Sequence, residues 1–350
     1  MGRIVVAGSG AMGASIAYQL ALLGADDVVV AERGELVGGS TSRAMGGVRQ
    51  QFSTAAEVVL ARESIEFLAS LRPSLFRQVG YLFVATTDAG LAELEERRAL
   101  QNELGVPVER VDPSVVAGLA TDDVTGATCC WSDGVADPGG VAREVLRLAQ
   151  ERGVEVRAQT PAEELDCDVL VIACGPWSPE LAARYGVELP IRPLCRQLLE
   201  TSPLSGLPAE LPMVIEAESG FHFRRRGDRL VLAMADPEPR WTFEATVDET
   251  LFADRLARLA RRYPPAAGAT VAKSWAGLYD MTPDAHPIVG RVADGVYAAC
   301  GFSGHGFMQS PAVGRALAEL IVRGESSLDL SPYSLERFDA GAMFPEHLVL

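Results

Sequence analysis

The chain has 350 residues, 48% of them hydrophobic and 22% charged, with a formal net charge of −16. That length suits two domains of ordinary size, and the balance suits a globular interior. The acidic surplus repels phosphate backbones and anionic surfaces, which excludes nucleic acid and a polybasic membrane patch. No apolar run reaches the roughly 18 residues that span a bilayer.

Residues 3–7, "RIVVA", and 27–32, "DVVVAE", read as buried strands flanking a helix over 11–23 that ends at Gly24. A strand opening at residue 3 leaves no room for a cleavable leader, so a cytoplasmic chain is expected. A Ser/Thr start predicts a helix over 53–71, followed by a strand over 80–87 and a charged helix over 88–104. Residues 110–138 read as turns with short strands, and 137–156 as a helix and a short strand. The six-residue apolar run within 167–178, "CDVLVIACGPWS", reads as a central parallel strand ending in a glycine turn. Residues 190–235 alternate as an antiparallel sheet does, with "RRR" at 224–226 as a solvated hairpin end. A helix follows at 247–263, then a strand at 295–300 and a helix to about Arg323.

The six cysteines form no C-x-x-C pair and read as small buried thiols in a reducing compartment. His222, His286, His305 and His347 are scattered without metal-ligand spacing, so no metal is expected.

Gly8-Ser9-Gly10-Ala11-Met12-Gly13 fits G-x-G-x-x-G between a strand and a helix, with Glu32 ending the next strand, 19 residues after Gly13. The glycines allow a tight turn, backbone approach to a pyrophosphate and close helix–strand packing. The helix N-terminus faces the phosphates, and Glu32 suits a ribose hydroxyl rather than a 2′-phosphate, against NADP. The polar segment 38–52, "GGSTSRAMGGVRQQF", and the strand end 168–175, "DVLVIACG", are two further backbone approaches. A fourth glycine turn, "CGFSGHGFMQSPAVG" at 300–314, precedes another helix. One nicotinamide dinucleotide does not need them all; an extended flavin dinucleotide does. Ser303 and His305 suggest a hydrolase at first sight, but a nucleophile elbow is G-x-S-x-G, and His305 stands where its last glycine belongs.

With those pieces in this order, the chain resembles the amino-acid oxidase superfamily of flavoproteins over nearly its whole length, most of all the sarcosine oxidase and sarcosine or proline dehydrogenase branch. "DGVADPGGVAREVLRLAQERGVEV", "DVLVIACGPWSPELA" and "WAGLYDMTPDAHPIVG" add to the match. The resemblance implies an α/β fold with an α+β insert: a Rossmann-like FAD-binding domain in discontinuous segments and a substrate domain with a large, mostly antiparallel sheet. The FAD domain is expected from 1–79, 136–185 and 273–326, the substrate domain from 80–135 and 186–272, and a tail from 327–350. It implies oxidation of the C–N bond of a small amine or amino acid, with hydride passing to flavin N5 and the imine then hydrolysed. It also implies partners: the amine, and an electron-accepting protein or further subunits. The alternative is a flavin-holding assembly protein without turnover.

Residue by residue, the resemblance places FAD against Gly8, Gly10, Ala11, Met12, Gly13, Glu32 and Arg33 at the phosphate end. Ser40, Thr41, Ser42, Gly46 and Gly47 follow, then Val156, Cys174, Gly175 and Trp177. Gly277, Gly301, Ser303, Gly304, His305, Gly306, Phe307 and Met308 are placed around the ring. Arg49 is expected to hold the substrate carboxylate, Tyr279 to line the pocket and His222 to face the flavin. Three departures stand out. Gly277 replaces the cysteine that bonds covalently to flavin in monomeric sarcosine oxidases, Val231 the lysine that promotes reaction with oxygen, and Met308 a lysine of the flavin loop. Non-covalent FAD is therefore expected, and a dehydrogenase stands beside an oxidase. Acid denaturation should release all the yellow colour into the supernatant; colour left in the precipitate contradicts non-covalent binding.

Overall fold

The computed structural model describes residues 2–346; His347 and the rest of 347–350, the end of the expected tail, lie outside the described residues. Its first sheet has six strands in the order Ile288–Ala293, Val296–Cys300, Val169–Ile172, Ile4–Ala7, Val28–Ala31 and Glu155–Arg157. All neighbours run parallel except the first pair. Every residue of Ile4–Ala7 is buried because both faces are covered. Ile4 and Val6 enter one apolar cluster, Val5 and Ala7 another, as the period of two requires.

The helix Ala11–Leu22 connects Ile4–Ala7 to its neighbour Val28–Ala31 and packs against Pro138–Gln150 and Gly306–Arg323. Where it leaves the first strand, a Cβ at Gly13 would overlap the Gly8 carbonyl. Where it meets the late helix, a Cβ at Gly314 would overlap the Ser15 hydroxyl and lie 2.9 Å from its backbone carbon. Pro311 sits inside that late helix and cannot donate to the Phe307 carbonyl; the Ser310 hydroxyl donates to it instead at 2.9 Å. The Ser64 hydroxyl of the helix Ala55–Ser70 accepts from the Ala312 N–H at 3.1 Å, tying those helices together.

The second sheet has nine strands and is mostly antiparallel; Tyr81–Ala85 and Met213–Glu216 are a parallel pair. Its longest ladder joins Arg192–Thr201 to Val271–Met281. Position 273, expected to open the last segment of the first domain, therefore falls inside a strand of this sheet, and the chain stays in it through Met281. The arginine triplet differs from expectation as well. Arg224 shares a strand face with the buried His222 and is itself buried, donating to the Met45 carbonyl at 2.6 Å, while Arg226, at the end of the same strand, stays exposed. A small third sheet, Gly47–Val48, Gly134–Ala136 and Phe76–Arg77, was not foreseen. Among the described residues no helix is long and apolar enough to cross a membrane.

The Gly314 contact is testable. Gly314→Val should cost about 1–3 kcal/mol by overpacking, read as a lower Tm together with reduced FAD content; an unchanged melt shows that the helices can separate freely.

Candidate active site

One cleft of about 580 Å³ runs from the end of the first sheet to the face of the second. At its near end Gly8 has φ +105°, and a Cβ there would stand 2.5 Å from the Ala173 carbonyl, so only glycine permits the turn. Gly10 caps the first helix without a side chain, and the Ala11 N–H donates to Thr41 Oγ1 at 3.1 Å. The Glu32 carboxylate is held by the Ser9 N–H at 3.0 Å, the Ser9 hydroxyl at 2.9 Å and the Gly34 N–H at 3.0 Å. Gly8, Gly10, Ala11, Met12, Glu32, Arg33, Ser40 and Thr41 line the cleft, as do Gly46 and Gly47, where a Cβ on Gly47 would stand 2.7 Å from the Tyr81 hydroxyl of the second sheet. Cys174, Gly175 and Trp177 line it from the strand Val169–Ile172, and Arg33 lies over the Trp177 ring at 5.2 Å. Burial pushes the Cys174 thiol up to about 12, so it stays protonated.

Some expected contacts stand elsewhere. Gly13 lies under the helix and serves packing. The Ser42 hydroxyl donates to the Gly39 carbonyl, and Val156 sits on an edge strand beside Val30; neither lines the cleft. Gly301 and Ser303 shape the far turn without lining it. Ser303 Oγ accepts from the Thr282 N–H at 3.2 Å while His305 faces Arg49, so no Ser–His dyad forms.

At the far end Gly304, at φ +99°, leaves room for the Tyr279 ring, which a Cβ would approach to 2.5 Å. The helix Gly306–Arg323 starts there with no side-chain cap, and Gly306, Phe307 and Met308 line the cleft. Its first N–H groups precede the first intrahelical bond and are available to a ligand. Asp280, which the sequence did not flag, anchors the turn by accepting from the Gly301 N–H at 2.7 Å. Burial raises its carboxyl to about 6 against the pull of those backbone donors.

The second sheet closes the cleft with His222, Tyr279, Arg196 and Gly277. Gly277 faces the Arg43 side chain. Burial raises the Tyr279 phenol and opposes Arg196 and Arg49, which lower it. Arg49 is 1% exposed. It donates to the Gln51 carbonyl and, at 3.3 Å, to His305 Nε2, and stacks 3.9 Å from the Phe52 ring centroid. Burial lowers its pKa. The loop carrying it is pinned by Asp133, which accepts from the Gln50 N–H at 3.0 Å and from Gln51 Nε2 at 3.1 Å. Burial lifts Asp133 to about 6.

Both cleft histidines are neutral. Burial lowers each to about 4, helped at His305 by Arg49 and at His222 by Arg196 and Arg49. The Gly220 carbonyl can only accept, so His222 carries its proton on Nδ1, 2.8 Å away, and Nε2 is an acceptor. Arginine can only donate, so His305 Nε2 accepts and Nδ1–H is a buried donor without a protein partner. That orphaned donor, the glycine cradles, the held Glu32 and the uncapped helix fit a dinucleotide whose ring lies toward Met308.

These features define a flavin-type dinucleotide oxidoreductase. The chain belongs to the DAO family: its model, described as FAD dependent oxidoreductase, matches residues 3–320. It is 30% identical to the FAD-dependent oxidoreductase domain-containing protein 1 of Bos taurus, over 99% of this chain and 87% of that one. It is 27% identical to a sarcosine oxidase subunit beta of Arthrobacter sp, over 98% and 93%. The crystal structure of L-proline dehydrogenase from P. horikoshii superposes with a TM-score of 0.89 at 28% identity, over 97% and 98%. The protein is an FAD-dependent oxidoreductase of the amino-acid oxidase family.

The histidines carry a pH signature. Unfolded, each takes a proton near 6.5, but folded only near 4, so their contribution to native stability is lost as pH falls through that window. Asp133 and Asp280 work oppositely: their protonated forms support the fold fully below about 3.9, and that support is lost as pH rises through about 6. NMR of His222 and His305 should show neutral Nδ1–H imidazoles from pH 8 to about pH 5; a midpoint near 6.5 at either contradicts its enclosure.

Proposed function

We propose that the protein oxidises the C–N bond of a small amino acid or N-methyl amino acid of the sarcosine, dimethylglycine, glycine or proline type. The observation that carries this is the far wall of the cleft. Two guanidinium groups, a neutral histidine acceptor and a phenol converge opposite a helix N-terminus. Such a wall fits a molecule with a carboxylate and an amine.

His222 Nε2 accepts a hydrogen bond from the amine N–H. Arg49 and Arg196 disfavour the ammonium form by like-charge repulsion, which leaves the nitrogen lone pair available. Tyr279 flanks the substrate and walls it from water. FAD, when bound, supplies the acceptor for the hydride leaving the carbon next to nitrogen. The N–H groups of Gly306, Phe307 and Met308, with their helix dipole, would stabilise negative charge that gathers on the cofactor when it is bound. The resulting imine takes up water and splits into a carbonyl compound and an amine or ammonia. Gly277 has no side chain to bond the cofactor, which supports non-covalent FAD.

The electrons leave to an acceptor other than oxygen, carried by a partner protein or a further subunit. Met308 lines the cleft where related oxidases have a lysine, and Val231 is buried between neighbouring strands. Likeness to an L-proline dehydrogenase supports the acceptor other than oxygen, and likeness to a sarcosine oxidase subunit supports a further subunit.

Anaerobic addition of sarcosine, dimethylglycine, glycine or proline should bleach the flavin absorbance with at least one of them. Air should restore the colour slowly and an artificial acceptor quickly. Failure of every small amine to bleach it sinks the enzymatic reading and favours an assembly role; instant recovery in air returns the protein to the oxidases.

A further inference from the structure

Five arginines line the cleft: Arg33, Arg43, Arg49, Arg184 and Arg196. Four have protein partners. Arg33 reaches Glu180 at 3.4 Å, Arg43 donates to the Ala276 carbonyl at 3.1 Å, and Arg184 lies 4.0 Å from Glu163. Arg49 is engaged by Gln51, His305 and the Phe52 ring. Among the described residues Arg196 makes no hydrogen bond or ion pair, and its Nε is enclosed without a partner. Its one recorded contact is the Tyr279 ring, with the guanidinium carbon 5.8 Å from the centroid. A guanidinium with an enclosed, unsatisfied donor is costly, and among the described residues no carboxylate pairs with it, in a chain that carries 47 acidic residues.

The ladder explains where it points. Arg196 lies opposite Gly277, and Leu194 opposite Tyr279, in the antiparallel pairing of Arg192–Thr201 with Val271–Met281. Directly opposed residues share a face, so Arg196 stands on the cleft face beside Tyr279, across from a position without a side chain. Tyr279 and His222 both sense Arg196 more strongly than Arg49.

We propose that Arg196 anchors the substrate carboxylate, by two parallel N–H···O bonds, while Arg49 holds the His305 side of the cleft. This rests on the amino-acid reading above and deepens it. With the carboxylate on Arg196 and the amine on His222 Nε2, the oxidisable carbon lies between them, near Tyr279. Such a site favours α-amino acids over amines that lack an acid group.

The test is binding without turnover. FAD-loaded protein is titrated with acetate and with pyrrole-2-carboxylate, neither of which has an oxidisable amine, and the shift of the flavin absorbance is read. Wild type should give a saturable shift. Arg196→Met should weaken it by about 10- to 100-fold, the range for a hydrogen bond to a charged group, at unchanged FAD content. Arg196→Lys should fall between and serves if the methionine variant folds poorly. Absence of any carboxylate-induced shift in wild type, or wild-type affinity in either variant, overturns the proposal. So does equal weakening of pyrrole, titrated in the same way, which has neither an acid group nor an oxidisable amine. Carboxylate binding through Arg196 in a protein that no amine bleaches would instead remove the proposed reaction and leave the anion site standing.

Discussion

The structure depends on how closely the helix Ala11–Leu22 lies against its two neighbours. Gly13 lets it touch the first strand's turn, and Gly314 lets the late helix cross over Ser15. Both helices begin at the cleft. The two glycine contacts therefore fix the separation of two positive helix ends. One end would face the phosphates of a bound dinucleotide and the other its ring. A cofactor of that span is matched by packing inside the protein, before any polar contact is made.

Electrostatics in the cleft is set by enclosure more than by ion pairs. The histidines are neutral because they are buried beside guanidinium groups. Asp133 and Asp280 hold loops through backbone and amide donors rather than through cations. The wall offers a cationic field with neutral hydrogen-bonding groups set in it. A zwitterionic amino acid meets attraction at one end and a push toward the free amine at the other.

Much of the first sheet was legible because its signals are local. A glycine pattern, an apolar run on each side and an acid at the second strand's end lie within the first 32 residues. Arg196 was not legible. Its meaning comes from the register that sets it opposite Gly277 and from the absence of a partner across the cleft. Asp133 and Asp280 escaped notice for the same reason, since each is defined by loops distant in sequence or by a turn that folds back on it. Arg224 was misread because three adjacent arginines look like surface, whereas the strand carrying them begins inside the protein and only its end reaches solvent. The resemblance named Arg49, and only the packing showed how much of its bonding capacity other groups already use.

The order of the pieces along the chain bears on how the protein is made. The turn at Gly8 emerges from the ribosome long before the helix that begins at Gly306. The strand Ile4–Ala7 must wait for Val169–Ile172 to gain its second neighbour, and Val296–Cys300 joins later still. A growing chain thus carries half a cofactor site through most of its synthesis. The cleft is complete only once segments far apart in the sequence, from Gly8 to Met308, have met.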